Sequence, residues 1–104
     1  CIYCASVHAS RHAQLTKSDD VTDKIFVDGE NAKLSARDAA ILKFAVKLSD
    51  APSRANKDDL NELKTVGLHE EEILDLILST SLFGWANRLM HVLGDPVRPT
   101  VNED

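Results

Sequence analysis

The chain has 104 residues, 43% hydrophobic and 28% charged, with a formal net charge of −5. That composition excludes intrinsic disorder and fits one packed domain of ordinary size. Lys and Arg are scattered among Asp and Glu, so no basic stripe exists to neutralise a phosphate backbone, and no apolar run approaches the ~20 residues that cross a bilayer. Neither nucleic acid nor membrane is expected as a partner. No leader pattern precedes the helical pattern, so a soluble, cytoplasmic setting is expected. The first residue is Cys1 and not Met, which is read as the mark of an incomplete chain.

Residues 2 to 17 contain neither Gly nor Pro and are rich in Ala, Leu, His, Arg and Gln, which predicts a helix. Residues 18 to 34 are polar and interrupted by Asp28-Gly29, with Val21, Ile25, Phe26 and Val27 as their apolar content. A short helical turn followed by a loop is expected there. Ser35, three residues before Asp38, is a variant of the capping box, and Leu34 before it supplies a hydrophobic staple. The helix that follows, 36 to 49, repeats Ile41, Phe44, Ala45 and Leu48 at the spacing of one buried stripe. Pro52 and Ser53 break it.

Asp58 and Asp59 suit the positive end of the next helix; Leu60, Leu63 and Val66 form its apolar side, and Gly67 suits a left-handed cap. From Glu70 to Leu93 runs the longest periodic segment, opened by three glutamates and closed by Gly94. It is apolar almost all round, which calls for partners on more than one side, in a bundle interior or an oligomer seam. Phe44, Phe83 and Trp85 follow helical spacing and are assigned to the core. Asn87 and Arg88 interrupt that apolar helix and either line a cavity or contact, or mark a face turning to solvent. No β alternation or internal repeat occurs, so the fold class is all-α, with a helical domain over 1–96 and an extended, mobile tail over 97–104.

Chemistry concentrates at the start. Cys1 and Cys4 stand in a C-x-x-C spacing that brings two sulfurs within disulfide reach across a first helical turn. Cys4 falls near the helix start, where unpaired amides and the dipole favour a thiolate, the species that attacks peroxides and disulfides. His8 is one turn further along the same face, placed to accept the Cys4 proton or to hold the thiolate as imidazolium. The rival readings are inert core cysteines with a surface histidine, and a metal site. Cys1, Cys4, His8 and His12 share one helix face, but residues 1 and 12 are about 16 Å apart along the axis, too far to ligate one ion. No metal or cofactor is expected. His12 extends a possible relay by one turn or simply meets solvent; His69 falls at an N-cap, and neither it nor His91 is given a role.

With CIYCASVH, LSARDAAILKFAVKLSDAP and DLNELKTVGLHEEEILDLILSTSLFGWANRLMHVLG in this order, the chain resembles the alkyl hydroperoxidase D-like, carboxymuconolactone decarboxylase superfamily, within it the peroxidase-related group. The resemblance spans nearly the whole chain and implies an all-α helical bundle that lacks its N-terminal helices here and assembles into trimers, hexamers or related homo-oligomers. It implies a thiol-dependent peroxidase or disulfide reductase acting on a hydroperoxide, with an external dithiol as reductant. Cys4 falls on the peroxide-attacking cysteine, Cys1 on its disulfide partner and His8 on the proton relay. The family's relay also uses a glutamate on the helix before the motif, and Tyr3 stands where its best-studied pattern has a histidine. The alternative expectation is a non-catalytic helical oligomer whose cysteine pair is vestigial or redox-sensing. The superfamily's cofactor-free decarboxylase chemistry ranks last, because members that perform it typically lack the pair.

Overall fold

A computed structural model describes residues 2–94; Cys1 and the tail assigned to 97–104 lie outside the described residues. The described chain is all-α, with helices α1 (Ile2–Thr16), α2 (Asp20–Asp28), α3 (Ala36–Asp50), α4 (Lys57–Thr65) and α5 (Glu70–Leu93), and 3-10 turns at Gly29–Asn31 and Pro52–Arg54. No strand occurs among the described residues. Helices α3 and α5 form the main packed pair and α4 closes against both, while α2 packs on α1.

The short helical turn expected after residue 18 is longer in the structure, the nine-residue helix α2, and the loop follows a 3-10 turn at Gly29–Asn31. Its aspartates are what make it polar, and Asp20 and Asp23 sit in the first turn, where they suit the dipole. Val21 and Ile25, four apart, form a half-buried stripe beside α1. Two apolar positions are a weak sequence signal, and docking on α1 supplies what propensity lacks. Gly29, at φ +59°, ends the helix, with its N–H donated to the Ile25 carbonyl.

Helix α3 starts as its sequence predicts, with the Ser35 hydroxyl accepting the Asp38 N–H at 3.2 Å. Helix α4 has a reciprocal cap of its own: Asp58 N–H donates to the Asn56 side-chain oxygen at 2.9 Å, and Asn56 N–H donates to an Asp59 carboxylate oxygen, also at 2.9 Å. It ends in a Schellman motif. Gly67, at φ +98°, donates to the Lys64 carbonyl, and Leu68 N–H reaches back to Leu63 at 3.1 Å. The same turn brings the Leu68 and Leu63 side chains into one buried cluster with Phe44 and Ile73, so the cap and the core are built by one local conformation. Helix α5 opens with His69 N–H donated to Glu72 at 3.0 Å and closes at Gly94, φ +93°.

The core is small and lies at one end of a molecule measuring 55 × 31 × 26 Å. Leu63 is 1% exposed, and Ala40, Ile41, Leu48, Leu60, Leu76 and Ile77 pack around the cluster. Phe44 belongs to it as expected, but Phe83 and Trp85 do not, being 42% and 59% exposed. The reason is length. Helix α5 has 24 residues and α3 has 15, so α5 is longer by about 13 Å. Beyond Ile77 its apolar residues Leu78, Leu82, Trp85, Leu89, Val92 and Leu93 are exposed in the single chain.

Candidate functional site

Cys4 stands in the first turn of α1, half-buried and disulfide-bonded. At that position the helix presents amide groups without intrahelical acceptors, an environment that lowers the energy of a sulfur anion. His8 follows one turn along. Both residues line a single open cleft of about 460 Å³, together with Ala5, Phe83 and Asn87. Cys4 and His8 are therefore brought together on one surface, as the four-residue spacing predicts.

The opposite wall was not legible as such. Phe83 and Asn87, four residues apart on α5, face the α1 residues across the cleft. The Phe83 ring meets the His8 imidazole edge to face, with centroids 4.6 Å apart and planes at 75°. Helical spacing assigns Phe83 to the core and leaves Asn87 between a cavity and solvent; in the structure both line the cleft. The available signal was the matching i, i+4 spacing in two helices, but nothing in the chain pairs segments about 75 residues apart.

On its other side His8 borders a second groove, of about 260 Å³, between α1 and α2. Ala5, Ala9, Val21, Ile25 and Phe26 make it mainly apolar, and His12 joins His8 on its α1 wall. The His12 Nδ1 is buried and has no hydrogen-bond partner. The His12 residue as a whole is half-buried, while His91 is exposed and does not line the Cys4 cleft. His69 occupies the N-cap of α5 as expected. Among the described residues no group of three or more His, Cys, Asp and Glu side chains comes together as a metal site would require.

The strongest electrostatic effects lie far from the cleft. Lys47 Nζ sits 2.8 Å from Asp59 and, with the Asn56 N–H bonded to the same carboxylate, holds that carboxyl below its usual range. The His69 N–H, and then Arg37 at 2.6 Å, do the same for Glu72. Both carboxylates hold helix starts.

No protein-family model matches this sequence, and no curated protein matches it. The all-α class rests on the structure, and none of its helices among the described residues is long and apolar enough to cross a membrane.

Proposed function

We propose that the chain is a thiol-dependent peroxidase or disulfide reductase, built on an alkyl hydroperoxidase D-like helical bundle. The observation that carries this reading is a disulfide-forming sulfur and an imidazole, four residues apart, lining one solvent-open cleft. In the reduced state His8 takes the Cys4 proton. The Cys4 thiolate then attacks the distal oxygen of a hydroperoxide; an S–O bond forms, the O–O bond breaks, and the departing alkoxide takes the proton back from His8 to leave as an alcohol. Cys1 attacks the resulting sulfenic acid, water leaves and a disulfide forms. An external dithiol reduces the pair by thiol–disulfide exchange. A cytoplasmic setting, where dithiol reductants are maintained, suits a pair that must be reduced in every cycle.

The test is direct. Protein reduced with a dithiol and freed of it, then exposed to one equivalent of hydrogen peroxide or an organic hydroperoxide, loses two hydrogens by mass within the peptide carrying Cys1 and Cys4. Cys4→Ser abolishes peroxide consumption. Thiols that persist in excess peroxide overturn the reading.

A second reading, a non-catalytic homo-oligomer with a vestigial or redox-sensing pair, is favoured by the apolar length of α5, where Leu78, Leu82, Trp85 and Leu89 are exposed among the described residues. The two differ in their consequence for Cys4→Ser: under the second, assembly measured by light scattering is unchanged and peroxide is never consumed. Self-association itself is compatible with both and is checked by Trp85→Glu, which is expected to shift the particle toward the monomer.

A further inference from the structure

We propose that Phe83 is a positioning residue for His8, holding its imidazole over the Cys4 cleft while leaving both ring nitrogens free for proton transfer; this rests on the thiol chemistry proposed above. His8 is exposed, and no hydrogen bond among the described residues fixes either of its nitrogens. An exposed histidine on one helix samples several rotamers, only some of which face a residue one turn back. The contact that restrains it is with the Phe83 ring, 4.6 Å away at 75°.

The chemistry of that restraint matters. A carboxylate or carbonyl bonded to one nitrogen would orient the ring by fixing its tautomer. An aromatic edge-to-face contact orients the ring through dispersion and quadrupole attraction and takes neither nitrogen. Phe83 arrives from α5, a helix otherwise packed on α3 and α4, so the ring also ties the α1 site to the rest of the fold. Phe83 touches no reacting atom in this scheme; its effect passes through His8.

The experiment compares wild type, Phe83→Leu and Phe83→Tyr, with Leu78→Ala as an α5 surface control outside the cleft. Two readouts are taken on the reduced protein: the ring-proton NMR shifts of His8 as a function of pH, and the rate of Cys4 oxidation by hydrogen peroxide across the same pH range. Phe83 is 42% exposed and outside the buried cluster, so substitution leaves the core intact, as far-UV circular dichroism would verify. In Phe83→Leu the ring-current displacement of the His8 signals is lost and oxidation slows by about threefold to tenfold. Phe83→Tyr retains both, because it keeps the ring. His8 shifts, or an oxidation rate, unchanged in Phe83→Leu overturn the proposal. A wild type inert to peroxide overturns the thiol chemistry instead, and the His8 shifts then judge the ring contact alone.

Discussion

The two ends of this molecule are built by different means. At one end, α3, α4 and the first turns of α5 enclose Phe44, Leu63, Leu68 and Ile73, and every helix there begins with a side-chain or reciprocal cap. At the other, α1 meets α5 through the His8–Phe83 ring contact and α2 packs on α1, with no buried residue on α2 and wide apolar exposure on α5. Burial is concentrated away from Cys4 and His8, and the candidate site occupies the part with little of it. That division suits the thiol chemistry proposed above, since a thiol sealed among packed hydrocarbon is neither readily ionised nor reachable.

The sharpest way to break this comparison is to truncate one leucine at each end. Leu63→Ala removes the least exposed of the described core side chains and leaves a cavity beneath the Schellman turn, at a cost of roughly 2–5 kcal/mol of unfolding free energy. Leu82→Ala, at a position 57% exposed on α5, is expected to change it by less than about 0.5 kcal/mol. Denaturant unfolding followed by circular dichroism measures both. Comparable losses would mean that the distal half of α5 is buried in an assembly and that the single-chain contrast does not hold in solution.

A smaller effect is expected at Gly67. Its φ of +98° is one that an L side chain rarely adopts, while the nearest atom to an added Cβ is Arg37 Nη1 at 4.0 Å. Gly67→Ala therefore pays in backbone strain and not in collision, by about 1–2 kcal/mol on the same unfolding curve. Gly94, also at positive φ but at the open end of α5, offers the matching control.

How much of this was readable in the chain follows the same division. The core end announces itself locally: Ser35 and Asp38, Asp58 and Asp59, Gly67, and the Ile41, Phe44, Leu48 stripe each specify their element from neighbours within two turns. Glu70 and Leu93 are the ends of α5 in the structure as in the pattern. The cleft end depends on contacts between distant segments. The helix over 20–28 exceeds the short turn its sequence predicts because its apolar stripe is only two residues long, and Phe83 reads as core because periodicity reports an apolar face without saying whether anything covers it. Cys4 and His8 were legible, since one helix carries both; their facing wall was not.

The smallest effects sharpen the comparison within the core end itself, where two ion pairs join α3 to α4 one turn apart. Lys43 and Glu62 meet at 3.1 Å with side chains 66% and 55% exposed, whereas Lys47 and Asp59 meet at 2.8 Å at 31% and 11%. Water and salt screen the first pair, so Lys43→Ala costs about 0–1 kcal/mol, and what it costs vanishes in high salt. The second pair is shielded and its carboxylate also receives the Asn56 N–H, so Lys47→Ala costs more and salt removes less of it. Its signature is in pH. The folded-state pKa of Asp59 lies below 3.8, the unfolded value, so the contribution is fully present above 3.8 and is lost as pH falls through the folded value. Glu72, lowered from 4.5, adds a loss of the same sign that sets in as pH falls below 4.5. Unfolding curves between pH 5 and pH 2 should therefore fall less steeply in Asp59→Asn than in wild type. Equal slopes would place the acid sensitivity in Glu72 and the remaining carboxylates, and with it remove the distinction between the exposed and the shielded pair.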